Sequence, residues 1–286
     1  MNPSNPWFLA AFLGVVIFYH LNLIVSLLNL AQFANPLPEA IRQLYTEEKV
    51  ELCRDYHRQA TQLDLAQETT QLAILITFWL SGGFGWLQTW TSSFGWSSVA
   101  TGTFAVAIIT AATTLISLPF TLWSTFKIEA SFGFNRTSPA TFLKDQVKSL
   151  LLLALLGLPL LALVIWLFET LVWAGVAAWA TIALFSLLMT WVSPRFILPL
   201  FLRFDPLPDG PLREAIFELS GRLDFPVADV SVVDGSRRSS KANAFFAGFG
   251  KSKRIALYDT LIESHTQDEL LAVLSHEIGH SKQGHV

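Results

Sequence analysis

The sequence predicts a mainly α-helical, polytopic membrane protein of about five spans, followed by a small cytosolic α/β segment. Three observations carry that expectation. Of 286 residues only 14% are charged and 52% are hydrophobic, against roughly 25% charged in ordinary soluble domains. Five apolar stretches, at about 7–30, 71–90, 99–122, 149–168 and 171–191, each reach the ~20 residues that cross about 30 Å of hydrocarbon. From about residue 204 the composition turns to alternating polar and β-branched residues with Pro and Gly punctuation, the mark of a folded segment outside the bilayer.

The balance of residues narrows the function classes. Mean hydropathy is +0.47, and a net charge of −3 gives no reason to expect a nucleic-acid partner. The one cysteine, Cys53, can form no internal disulfide and is too few for a thiolate metal site.

The first apolar stretch reads as an uncleaved span. Met1–Pro6 holds no Lys or Arg, and the stretch after it exceeds a signal-peptide core. His20, Asn22 and Asn29 lie within it; polar groups at that depth face a cavity or bond to neighbouring helices. The connection 31–70 mixes charges with Leu44, Leu52, Leu63 and Leu65. It reads as an amphipathic helix near the membrane or on the catalytic region, with His57 at its surface. Pro119 and Pro159 fall inside spans, where neighbouring helices satisfy the freed carbonyls. Trp7, Trp86, Trp90, Trp96 and Trp191 lie near span ends, as interfacial anchors do. Only Glu169 and Thr170 separate the last two spans, so these form a tight hairpin.

Basic residues orient the bundle. Arg42, Lys49, Arg54 and Arg58 follow the first span; Lys127, Arg136, Lys144 and Lys148 lie in the third connection; Arg195 and Arg203 follow the fifth. The N-terminal tail and the second and fourth connections carry none. The positive-inside rule therefore puts the N-terminus outside and everything after residue 195 in the cytosol. Arg136 and Asp145 are expected to pair within the third connection.

In the α/β segment, Asp209 caps and Pro211 starts a helix to about 223. Val227–Val233 reads as a strand, and Ala242–Phe249 and Arg254–Tyr258 as a hairpin around Gly250–Lys253. Thr266 with Glu269 three residues on is a capping box opening a helix to about Gly284.

That helix carries His276-Glu277-Ile278-Gly279-His280. Residues four apart on a helix face the same way, so His276 and His280 can offer imidazole nitrogens to one Zn2+ while Glu277 serves as general base. Gly279 leaves room for close approach of another element. Metzincin spacing would need a Gly and then a His ligand at the positions where Gln283 and Val286 stand, and neither fits. His285 lies about 180° round the helix from His276 and is not a ligand on a regular helix. A gluzincin-type Glu from a later helix is the remaining common third ligand. The polar residues after the motif disfavour a site-two-type protease, which buries it in a span.

Longer motifs agree with a family. Ser131–Arg136 with Pro139 and Phe142-Leu143-Lys144-Asp145-Gln146, then Asp234–Ser240, Asn243–Phe246 with Gly248-Phe249, Lys253-Arg254-Ile255, Tyr258–Leu261 and Leu271–His280 with Gly284-His285, resemble in order and spacing the type I CAAX prenyl proteases, integral-membrane zinc metalloendopeptidases of the a-factor-converting type. The resemblance covers about 130–286; earlier residues match only in their pattern of spans.

The resemblance implies zinc on His276 and His280, Glu277 as base, and Asn243 and Ala244 on an edge strand to which substrate adds as a further strand. Lys241 departs from it, standing where many relatives have His. It implies seven spans around a water-filled chamber in the whole fold, five of them here. Residues 1–203 would be the membrane region, and 204–286 the first, incomplete part of the zinc-protease domain. The third zinc ligand would be a Glu beyond Val286, so the chain ending there is expected to be inactive. Expected partners are peptide or protein substrates, prenylated C-termini among them, and membrane lipid. The expected location is the inner membrane of a prokaryote or the endoplasmic reticulum of a eukaryote. A heat-shock-type quality-control zinc protease and a non-catalytic membrane scaffold are the alternatives.

Overall fold

The computed structural model describes residues 6–247 and 254–283. Twelve α-helices and four strands are described: α1 (Pro6–Phe33), α2 (Glu39–Arg42), α3 (Glu47–Leu80), α4 (Gly83–Ser92), α5 (Ser98–Trp123), α6 (Pro139–Leu152), α7 (Leu158–Thr170), α8 (Ala174–Val192), α9 (Leu198–Phe201), β1 (Phe204–Pro206), α10 (Pro211–Arg222), β2 (Asp229–Val233), β3 (Ala244–Ala247), β4 (Arg254–Tyr258), α11 (Asp259–Ser264) and α12 (Gln267–Gln283). They form two compact units, Met1–Phe132 with Leu161–Trp166, and Gly133–Leu160 with Leu167–Val286.

Among the described residues, four stretches are long and apolar enough to cross a membrane: Phe8–Phe33, Ser98–Glu129, Pro139–Thr170 and Ala174–Phe201. Their apolar side chains point outward; Phe18, Leu155 and Trp179 are 66%, 70% and 71% exposed. A helix apolar all round with such exposure needs hydrocarbon as its solvent. The second expected span differs from a straight helix. Residues 71–90 are divided between α3 and α4, which meet at a 68° bend. Gly82 makes the break at φ +81, a left-handed conformation that costs glycine nothing. With that bent pair counted as one span, the total is five.

The expected amphipathic connection is continuous with the bent span, because α3 begins at Glu47 under an N-cap from Thr46. Within the first unit, Arg54 donates to the carbonyls of Phe33 and Asn35 (3.0 and 2.8 Å). Gln71 reaches Ser117 at 2.8 Å. His57 is not a surface histidine: it is half-buried, stacked 4.2 Å from Phe33, and its Nε2 has no hydrogen-bond partner among the described residues. His20 needs no neighbouring helix, since its Nδ1 donates to the Val16 carbonyl at 2.7 Å. Asn22 is half-buried and Asn29 exposed.

Three π-helical turns, Ser124–Glu129, Leu153–Gly157 and Ser193–Ile197, interrupt the spans. The last contains Pro194, and Pro159 follows the second; proline lacks the amide that a regular turn needs, so the ladder widens there.

In the second unit the strands form one mixed sheet in the order β1-β2-β4-β3. β2 and β4 are parallel, joined by Val230↔Ile255, and β3 pairs antiparallel with β4 through Ala244↔Leu257. One sheet face carries Val230, Ile255 and Leu257, which pack with Ile216 of α10 and Leu270 and Leu274 of α12, all 2% exposed or less. The turn expected at Gly250–Lys253 lies outside the described residues. Asp209 does not cap α10, whose N-cap is Gly210. It pairs instead with Arg213, 3.2 Å away.

Candidate active site

The helix α12 is placed by its buried stripe. Leu270, Leu274 and Ile278 recur every fourth residue and are 1–2% exposed, so residues half a turn away must face outward. His276 and His280 occupy that outer face and are exposed; Glu277 sits at its margin, half-buried. The helix begins with the expected capping box. The Thr266 amide donates to the Glu269 carboxylate (2.8 Å), and the Glu269 amide donates to the Thr266 hydroxyl (3.4 Å). The first of these, followed by the bond from the Thr266 hydroxyl, holds the Glu269 carboxyl below its usual 4.5. At the other end, Lys282 Nζ donates to the Leu223 carbonyl just past α10 (2.8 Å).

The two imidazoles converge, with Nε2 atoms 2.9 Å apart and rings nearly perpendicular at 86°. Two nitrogens on one tetrahedral zinc, each ~2.0–2.1 Å from it, would sit about 3.3 Å apart. The pair therefore needs a shift of only a few tenths of an ångström to fit a shared zinc. Among the described residues no third His, Cys, Asp or Glu joins them. Apart from its chain neighbours and the backbone of its own helix, no described atom lies within 4 Å of a Cβ built at Gly279, so the close approach expected there is not made among the described residues. His285 lies outside the described residues, as do Gly248, Phe249 and the Trp7 side chain.

Strand β3 is the edge of the sheet and touches α12. The Tyr258 amide donates to the Asn243 carbonyl at 3.0 Å, which makes Asn243 and Tyr258 a hydrogen-bonded pair. Alternation then turns the backbone groups of Ala244 and Phe246 away from β4, toward the open edge. The Asn243 side chain covers the first of these, its Oδ1 accepting from the Ala244 amide at 2.9 Å. Phe246 is an edge position that the sequence reading did not single out. Its only signal was the register of a strand paired on one side.

The segment leading into β3 is held from behind. Arg238 donates from Nε and Nη2 to the Asp145 carboxylate of α6 (2.9 and 3.1 Å). The expected partner Arg136 instead uses its amide, which donates to the Arg238 carbonyl at 3.0 Å. Ser239 bridges Asn135, and the Ser240 amide reaches the Phe134 carbonyl at 3.0 Å. Lys241 lies 4.7 Å over the Phe134 ring.

Comparison with known proteins meets this geometry from outside. Residues 26–203 match the family model described as CAAX prenyl protease N-terminal, five membrane helices, and residues 206–286 match peptidase family M48. A CAAX prenyl protease 1 homolog of Arabidopsis thaliana is 44% identical over 173 residues, 60% of this chain and 41% of the relative. CAAX prenyl protease 1 of Saccharomyces cerevisiae is 38% identical over 197 residues, 66% of this chain and 42% of the relative. The crystal structure of S. mikatae Ste24p superimposes with a TM-score of 0.90 at 30% identity, covering 100% of this chain and 69% of that one. The matched stretches thus span less than half the length of these two curated relatives.

Proposed function

This chain belongs to the CAAX prenyl protease family within the M48 peptidases, and from that premise we propose that it works as a zinc-dependent membrane endopeptidase. The observation that carries the reading is the pair of imidazole nitrogens 2.9 Å apart beside Glu277, on a helix touching an open strand edge.

His276 and His280 are assigned as zinc ligands; among the described residues no further protein donor joins them. A bound zinc supplies Lewis-acid chemistry and brings the pKa of a water toward about 7. The Glu277 carboxylate takes the proton from the attacking water and returns it to the leaving amine. Asn243 and Ala244 start the edge to which an extended peptide adds as a further strand, with main-chain bonds supplying affinity and alternate side chains specificity. Phe246 offers the next outward amide.

Residues 1–203 are read as the membrane region and 204–286 as the beginning of the protease domain. The charge pattern favours an outside N-terminus and a cytosolic zinc helix, in the inner membrane of a prokaryote or the endoplasmic reticulum of a eukaryote. Substrates are peptides or proteins, with prenylated C-termini among them, carried over from the relatives' name. The five-helix match at 26–203 favours this reading over a heat-shock-type protease.

Metal analysis tests the ligand assignment. Purified full-length protein should hold one zinc per chain, and His276→Ala or His280→Ala should each remove most of it. Full zinc occupancy in both variants would refute the assignment.

A further inference from the structure

The face of the sheet opposite α12 borders a second candidate site. Phe204, Ser231 and Phe245 line a cavity of about 210 Å³ together with Trp191, Arg195 and Arg254. Phe245 and Ser231 share the row of Ala256 across the sheet, on the side away from the Val230, Ile255 and Leu257 core. The far wall is the end of the apolar stretch Ala174–Phe201. The walls are mainly apolar and aromatic, and the two arginines provide the charge.

Position along the span defines the depth of this cavity. Trp173 and Trp191, 78% and 48% exposed, bracket α8, and eighteen residues at 1.5 Å separate them by about 27 Å, close to the ~30 Å hydrocarbon core. They therefore mark the two aromatic belts. Arg195 lies one turn beyond Trp191, its guanidinium 5.4 Å over that ring, at the level of lipid phosphates. Among the described residues, neither Arg195 nor Arg254 forms an ion pair. The register neighbour of Arg254 on β2, Asp229, turns its Oδ1 to the Val230 amide instead. Two guanidinium forks at that depth, above aromatic walls, suit a phosphate carrying an apolar tail.

We propose that this cavity holds the headgroup of an anionic phospholipid, with its phosphate between Arg195 and Arg254. The site lies on the opposite face of the sheet from α12, shares strand β3 through Phe245, and does not rest on the cleavage reading.

Native mass spectrometry of the detergent-purified full-length protein tests it, with dioleoylphosphatidylglycerol and dioleoylphosphatidylcholine added in equal amounts. The wild type should retain the phosphatidylglycerol roughly tenfold better, and Arg195→Gln with Arg254→Gln should remove most of that preference. Arg42→Gln with Arg58→Gln, in the other unit, should leave it intact. Equal retention of the two lipids by the wild type would overturn the proposal, and this arm needs no variant to fold. Loss of the preference only in the Arg42 and Arg58 variant would overturn it too. So would displacement of the bound lipid by submillimolar inorganic phosphate, which would mark a site for the free ion.

Discussion

Asp145 on α6 holds Arg238 through two hydrogen bonds, Nε to Oδ2 at 2.9 Å and Nη2 to Oδ1 at 3.1 Å, with both side chains about four-fifths buried. Five residues after Arg238 the chain enters the strand edge beside α12. The pair thus fixes where β3 begins. Asp145→Asn leaves a guanidinium largely out of water with no ion-pair partner among the described residues, a change that costs about 1–3 kcal/mol. The variant should melt lower and show a raised KM with little change in kcat. The exchange Asp145→Arg with Arg238→Asp should restore part of both, and an unchanged KM in Asp145→Asn would separate this pair from substrate binding.

The buried stripe of α12 makes a second prediction. Leu274 is 1% exposed within the core, so Leu274→Ala should destabilise the protein by about 2–5 kcal/mol. Because that stripe orients His276 and His280, zinc content should fall with it. A variant with lower stability but unaltered zinc affinity would show that the histidines are oriented by something else.

Edge pairing can be probed at Asn243. Its side chain accepts from the Ala244 amide and so shapes the start of the free edge. Asn243→Ala should raise KM for an extended peptide several-fold while zinc content stays at the wild-type level. A change confined to kcat would place Asn243 in the chemistry instead.

The capping box should appear in the pH dependence of stability. Glu269 has its carboxyl held below 4.5 in the fold, so its contribution is fully present above that value. It is lost as the pH falls through the lowered folded value. Thermal melting of wild type and Glu269→Gln between about pH 3 and pH 6, a window bracketing ordinary carboxylate values, checks this. The wild-type advantage should be present at the upper end and shrink toward the lower. An advantage that grows with acidity would contradict it.

Local signals made α12 legible in the sequence: a cap, a four-residue apolar repeat and paired histidines all act within one helix. Strand β4, Arg254–Tyr258, was equally readable, since Ile255–Tyr258 is an unbroken short apolar run. What escaped depends on distant pairing. β1 is three residues ending in Pro206, with no alternation to reveal it, and exists because Phe204 pairs with Val233. Arg238 had nearer acids than Asp145, so nothing in the spacing favoured a partner 93 residues away. The bend at Gly82 was hidden because hydropathy measures polarity along the chain and is blind to direction. Asp209 looked like a cap, but Gly210 intervenes and its exposed carboxylate reaches Arg213 one turn on.

Glu277 offers the most direct test of the catalytic reading. Cleavage of an extended reporter peptide should be measured for wild-type full-length protein and Glu277→Ala, alongside bound zinc in both. Removing the base while keeping both histidines should abolish cleavage and leave one zinc per chain. Cleavage that persists in Glu277→Ala with its zinc bound would contradict the account.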